Sequence, residues 1–212
     1  MSDYTQRKAE LLNYAKQSYD EALFAGTSGN LSTYYENSGV MLITPSSVAY
    51  STMTIDDIMA LKLDGTILEG PHRPSSEWRM HAEIYKSMPE IGSIVHTHSP
   101  YATSFAVSNE TIPVILIEMV PFLGGDIQVA KFAIPGTAEV GIEAIKILKD
   151  RNSCLLANHG TVAVGANLSQ AHIRAVYIED AAKIYSLAKG NGNVVVIPDE
   201  YVQIMLERYK KK

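Results

Sequence analysis

The dipeptide Asp64-Gly65, set between apolar stretches at 60–63 and 66–68, does most to restrict the fold of this chain. Glycine reaches the positive φ of a two-residue hairpin turn and aspartate tolerates it, so the pair predicts two antiparallel strands joined directly. A hairpin excludes a sheet built only of parallel crossovers. Around it, short β-branched runs intermix with stretches of helical spacing. The patterns predict helices at about residues 5–24, 75–88, 100–107, 137–150, 168–189 and from 199 onward. Strands are predicted at 31–35, 40–43, 93–97, 114–117, 154–157 and 161–164, with an irregular stretch at 121–127. Thr54 and Asp57 form an N-cap pair for a short helical turn. The expected architecture is one α/β domain spanning 1–212, with a mixed or mostly antiparallel sheet covered by helices.

At 212 residues the chain is long enough to bury a sizeable core, and 46% hydrophobic with 19% charged residues is ordinary globular composition. The net charge of −5 comes with scattered basic residues, which argues against a nucleic-acid surface. No stretch approaches the ~18 apolar residues of a membrane span, and the N-terminus lacks the apolar core of a signal peptide. Cys154 is the sole cysteine and lies in an apolar run, so it reads as a buried hydrophobe rather than a nucleophile. Together these features predict a cytoplasmic protein in a reducing compartment, without nucleic-acid or membrane partners.

Chemistry enters at Ile94-Val-His-Thr-His-Ser99. Strand side chains alternate, so His96 and His98 point to one face, close enough to share a cation. Catalytic zinc takes about three or four protein ligands, and four further histidines are available. His159 precedes Gly160 after a strand, where a sharp turn can present it at the sheet edge. His172 falls on a long helix and His72 in a proline-flanked loop, both as structural or surface residues. Glu77 is either a carboxylate complementing a helix dipole or the charge that balances a dication. His81, one turn on, makes a pair with it, a local ligand couple or an outer support.

Three segments rich in small hydroxyl residues, Gly26-Thr-Ser-Gly-Asn30, Thr44-Pro-Ser-Ser47 and Ser75-Ser76, suit an anion. Small residues let backbone N–H groups approach, hydroxyls donate, and a helix N-terminus adds its dipole. Each segment alone reads as an ordinary turn or cap, and Gly26 to Asn30 fits neither nucleotide fingerprint; the coincidence of all three with a metal candidate favours a small phosphorylated substrate over a nucleotide.

The ordered set Gly26-Thr-Ser-Gly-Asn30, Ile43-Thr-Pro-Ser46, Pro74-Ser-Ser-Glu-Trp78, Val95-His-Thr-His-Ser99, Pro135-Gly-Thr137 and Asn158-His-Gly160 resembles the class II aldolase/adducin family, and within it the L-fuculose-phosphate aldolases. The resemblance implies an α/β/α domain in a four-fold homotetramer with active sites at subunit boundaries. It implies zinc, or Co²⁺ or Mn²⁺, held by Glu77, His96, His98 and His159, with His81 outside the ligand set. It implies a substrate phosphate held by Gly29, Asn30, Ser46, Ser47, Ser75 and Ser76, with Thr27 nearby. The implied chemistry is cleavage of a ketose 1-phosphate, such as fuculose 1-phosphate or a deoxypentulose phosphate, to dihydroxyacetone phosphate and an aldehyde, with Glu77 as the base.

Two departures stand out. Where these aldolases carry a tyrosine after the Ile-Pro that follows the histidine strand, this chain has none and carries Glu118, either a proton donor or a capping or interface residue. The family's C-terminal tyrosine has only an offset counterpart, Tyr209. Related methylthioribulose-phosphate dehydratases use a glutamate in this region, so dehydratase chemistry is the first alternative. Sugar-phosphate 4-epimerases, which usually carry aspartate in place of Glu77, come next. A non-catalytic adducin-like binding module comes last, since those scaffolds have lost metal ligands that this chain keeps.

Overall fold

The computed structural model describes residues 4–210. Its centre is an eight-stranded sheet of order β4-β3-β2-β1-β5-β8-β7-β6. The strands are β1 (Asn30–Tyr35), β2 (Val40–Ile43), β3 (Met59–Leu61), β4 (Ile67–Glu69), β5 (Ser93–Thr97), β6 (Val129–Ala130), β7 (Ser153–Leu156) and β8 (Gly160–Gly165). All neighbours are antiparallel except the edge pair β6–β7. The hairpin at Asp64-Gly65 joins β3 and β4, as its turn chemistry requires.

The period-2 alternation of the strands divides the core into two layers. Leu42, Val95, Leu155 and Ala163 face one side, where they pack against α1 (Tyr4–Asp20), α3 (Pro100–Ser108), α4 (Met119–Leu123), α6 (Leu168–Asn191) and α7 (Asp199–Lys210). Ile43, Ile94, Cys154, Leu156, Val162 and Val164 face the other, covered by α2 (Trp78–Ser87) and α5 (Ala138–Leu148). The result is the α/β/α sandwich expected. Burial raises the Cys154 thiol to about 12, which keeps it protonated and unreactive.

Most predicted elements fall within a residue or two of their positions, and Thr54 with Asp57 closes a reciprocal capping box. The first helix stops at Asp20, earlier than 24, because Ala22 turns to φ 60°. Residues 114–117 are a correction: they form no strand. Val114 instead accepts a hydrogen bond from the Ile197 N–H, and the chain then turns into α4. Val114 is buried and Ile115 and Leu116 pack half-buried against the core without a ladder, while Ile117 is exposed; a short apolar run reads alike in both cases. Pro121 fits inside α4 because it lies in the first turn, where its missing N–H costs no helical hydrogen bond. No described helix is long and apolar enough to cross a membrane.

Candidate metal and anion site

Three central strands bring the site together at one end of the sheet. β5 ends there, while β1 and β8 begin there; Asn30 lies opposite His96, and Thr161 opposite Thr97. His96 shares the face of Ile94, and His98 stands two residues on, just beyond the strand. His159 sits in the tight turn between β7 and β8, closed by its own N–H to the Leu156 carbonyl at 3.0 Å and by Asn158 at φ 55°. Gly160 follows because nothing larger fits: a Cβ would come within 2.3 Å of the Thr97 carbonyl oxygen and 2.9 Å of the His98 ring.

The three imidazoles converge. Ring centroids lie 4.8 Å apart for His96–His98 and His96–His159, and 5.0 Å apart for His98–His159. One nitrogen from each can be chosen so that all lie within 4.8 Å of one another. The Nδ1–H of His96 donates to the Thr161 carbonyl at 2.8 Å, which leaves Nε2 as a bare lone pair facing the Nε2 of His98 at 3.0 Å. Zinc–nitrogen bonds of about 2.0–2.1 Å in a tetrahedron put neighbouring ligand nitrogens about 3.3 Å apart, close to that spacing. Burial and mutual repulsion hold His96 well below the ordinary imidazole value, burial lowers His98, and burial with the His98 charge lowers His159 to about 4. All three are neutral at pH 7, the form a metal requires.

Glu77 lines the same cleft, at the N-cap of α2 and outside the closest group of three. It is 6% exposed, and its Oε2 is buried with no hydrogen-bond partner. Burial pushes the carboxyl up, partly offset by a backbone hydrogen bond from Gly136. A buried carboxylate oxygen without a partner is costly unless a cation or proton meets it. The donor set of three neutral imidazoles and this carboxylate fits a divalent metal.

The anion cradle lies beside them in a cleft of about 410 Å³, lined by Thr27, Gly29, Asn30, Ser46, Ser47, Ser75 and Ser76 together with Glu77 and the three histidines. Backbone hydrogen bonds explain why segments so far apart in sequence meet. The N–H of Ser46 donates to the Arg73 carbonyl at 2.9 Å and that of Ser75 to the Thr44 carbonyl at 3.1 Å, stitching the two serine pairs side by side. The Tyr50 hydroxyl donates to the Gly29 carbonyl at 2.7 Å and so holds the 26–30 loop against them. Gly29, at φ 76°, touches both Phe24 and the His96 carbonyl so closely that no Cβ fits. Ser47 takes φ 61°, a rare conformation for a residue with a side chain. Among the described residues, no lysine or arginine lines the cleft, so an anion there relies on N–H groups, hydroxyls, the α2 terminus and metal charge.

The other candidates are placed elsewhere. Glu118, at the N-cap of α4, does not line this cleft within one protomer, and neither does the exposed Tyr209 of α7. His72 pairs with Asp57 at 2.7 Å, and His172 packs on α6 with its Nε2 3.0 Å from Glu21. His81 is buried, but its partners are Ser32 and Asn30 rather than Glu77. Sequence spacing pointed along the helix; the partners come from β1 alongside.

The family model of the class II aldolase and adducin N-terminal domain matches residues 9–186. The chain belongs to that family. A 5-deoxy-D-ribulose 1-phosphate aldolase of Bacillus thuringiensis serovar kurstaki is 32% identical over 205 residues, covering 97% of this chain and 96% of its own. A 5-methylthioribulose-1-phosphate/5-deoxyribulose-1-phosphate aldolase of Rhodospirillum rubrum is 34% identical over 200 residues, covering 94% and 89%. Among solved structures, an L-fuculose 1-phosphate aldolase superimposes with a TM-score of 0.91 at 38% identity, covering 99% of this chain and 97% of its own. The chain is an enzyme of the lyase type; class II aldolases are metal-dependent, and its three clustered histidines could hold a metal ion.

Proposed function

We propose that this chain is a zinc-dependent aldolase that cleaves a ketose 1-phosphate to dihydroxyacetone phosphate and an aldehyde. The observation that carries the reading is the meeting, in one cleft, of three neutral imidazoles, a buried carboxylate with one unpartnered oxygen and a hydroxyl-lined anion cradle. Relatives named for deoxyribulose and fuculose phosphates support the substrate class, and deoxypentulose phosphate and fuculose 1-phosphate are the first to try.

His96, His98, His159 and Glu77 would hold the metal. When bound, it supplies Lewis acidity that steadies negative charge growing on the substrate carbonyl oxygen. Gly29, Asn30, Ser46, Ser47, Ser75 and Ser76, with Thr27 at the rim, bind the phosphate and so fix carbons 2 and 3 of the sugar beside Glu77. In cleavage, the hydroxyl on carbon 4 loses its proton as the bond between carbons 3 and 4 breaks. The electron pair passes to carbon 3 and its neighbouring carbonyl, and Glu77 returns a proton to carbon 3. In the synthetic direction Glu77 removes that proton. A carboxylate placed beside carbon 3 can give and take that proton in turn. Glu118 is the proposed partner for the carbon-4 hydroxyl, reaching the cleft from a neighbouring subunit of a homotetramer.

The test is a screen of ketose 1-phosphates with zinc-loaded enzyme. Release of dihydroxyacetone phosphate, abolished by chelation and restored by Zn²⁺, Co²⁺ or Mn²⁺, is expected. Loss of water, or inversion of a carbon centre without cleavage, would overturn the reading in favour of dehydratase or epimerase chemistry.

A further inference from the structure

The buried histidine of α2 has a job that its ligand-bearing neighbours do not explain. His81 is fully buried, and both ring nitrogens are engaged: Nδ1 lies 2.6 Å from the Ser32 hydroxyl and Nε2 lies 2.6 Å from Oδ1 of Asn30. The Ser32 hydroxyl in turn lies 2.7 Å from the Tyr85 hydroxyl. These groups bridge β1 and α2 behind the cleft, and Asn30 alone among them lines it. The amide oxygen of Asn30 can only accept, so Nε2 of His81 must carry a proton. A neutral ring then has a lone pair at Nδ1, which Ser32 must fill by donating its hydroxyl proton. Ser32, having spent that proton, accepts from Tyr85. Burial holds the ring neutral at working pH, its pKa lowered to about 3.

We propose that the Tyr85–Ser32–His81 chain fixes the side-chain amide of Asn30 with its oxygen turned inward and its NH₂ turned into the anion cradle. His81 is thus a positioning residue for phosphate recognition. An asparagine amide free to flip would present its oxygen to the phosphate half of the time, and two oxygens facing each other repel. Donors running from Tyr85 through Ser32 and His81 favour the oxygen-inward amide over the flipped one, in which the same contacts would run in reverse from the amide NH₂ to Tyr85. The inference rests on reading the cleft as a sugar-phosphate site.

Two measurements test it with zinc-loaded protein. The first is long-range proton–nitrogen NMR of histidine-labelled enzyme, which needs no substrate and so decides the relay even where no ketose phosphate is turned over. The His81 ring is expected with protonated Nε2 and bare Nδ1; the opposite tautomer would overturn the proposal. The second is inorganic phosphate binding by calorimetry. Ser32→Ala frees Nδ1 to take the proton, lets the amide flip, and is expected to weaken phosphate about ten-fold, with KM for the phosphorylated sugar rising by the same factor and kcat moving less. Zinc content is expected to match the parent. In an Asn30→Ala background, Ser32→Ala is expected to cause no further loss. Unchanged phosphate affinity in a folded, zinc-loaded Ser32→Ala, or losses that simply multiply in the double variant, would contradict it. His81→Leu repeats the test at the ring itself.

Discussion

Glu77 stores the conflict between stability and function in a single side chain. Its carboxyl pKa is raised by burial, so the folded chain holds the proton to higher pH than the unfolded chain does. Stability of the metal-free protein therefore falls as pH rises through that window, and the loss persists above it. Glu77→Gln removes the charge while the amide oxygen can still accept from Gly136. We expect the variant, stripped of metal by a chelator, to melt above the parent at pH 8 by scanning calorimetry, yet to lose turnover by about a hundred-fold or more. A lower melting temperature would contradict the assignment of burial as the dominant cause. The histidines work in the opposite sense. His81 is neutral when folded and has a pKa near 3, whereas the unfolded ring titrates near its ordinary 6.5. Its contribution is complete above that value and lost as pH falls below it, by about 2 kcal/mol at pH 5. Acid unfolding of His81→Leu should accordingly show a shallower pH dependence than the parent between pH 6.5 and 5. The ligand candidates were legible because a strand enforces the same face on His96 and His98. The partners of His81 were not, since i, i+4 spacing on a helix says nothing about the strand packed against it.

Among the elements, α3 shows how the fold braces the site from behind. Glu179 of α6 accepts from the Tyr101 and Ala102 N–H groups at 2.9 and 2.8 Å, capping the helix that begins directly after His98-Ser99. A carboxylate at a helix N-terminus with two charge-assisted hydrogen bonds is worth roughly 1–3 kcal/mol. Glu179→Ala is expected to lower stability by that amount in urea titration and to weaken zinc retention, because His98 is anchored to that terminus. Gly160→Ala acts on the other side of the cluster: its Cβ meets the Thr97 carbonyl and the His98 ring, so zinc affinity should fall without removal of a ligand. Equal zinc affinity in both variants and the parent would refute this bracing role. At this scale the hairpin, the capping box and the alternating strands could be read in advance, because each is set by local chemistry. Residues 114–117 could not. Val114 is buried in the core that Val202 of α7 also joins and accepts a hydrogen bond from Ile197, and that partner lies some eighty residues on.

For the whole molecule, the decisive feature is the source of the second proton-handling group. Glu118 stands outside the cleft of its own protomer, while large apolar side chains at Ile117, Phe132 and Ile134 are 63%, 60% and 69% exposed. Exposed apolar side chains of this size suit burial between subunits. A homotetramer in which each Glu118 serves a neighbour predicts complementation. Glu77→Gln and Glu118→Gln, each inactive alone, should recover about a quarter of parent activity when co-expressed in equal amounts, since one site in four would then carry both intact groups. Failure to recover activity in mixed tetramers would contradict supply of Glu118 by a neighbouring subunit, and full activity of Glu118→Gln alone would place it outside the reaction. No sequence pattern reports which protomer supplies a residue, because quaternary geometry is set by surface complementarity rather than by local periodicity.

The central claim is that one divalent ion sits among the three imidazoles and Glu77, against the serine-lined cradle. An anomalous-difference map at the zinc edge, from crystals grown with zinc and inorganic phosphate, tests it most directly. The expected result is a single strong peak within about 2.0–2.2 Å of Nε2 of His96 and His98, a ring nitrogen of His159 and a Glu77 oxygen, with phosphate density against Asn30, Ser46 and Ser75. A zinc peak bound elsewhere, or zinc held by the histidines with phosphate density remote from the cradle, would contradict it.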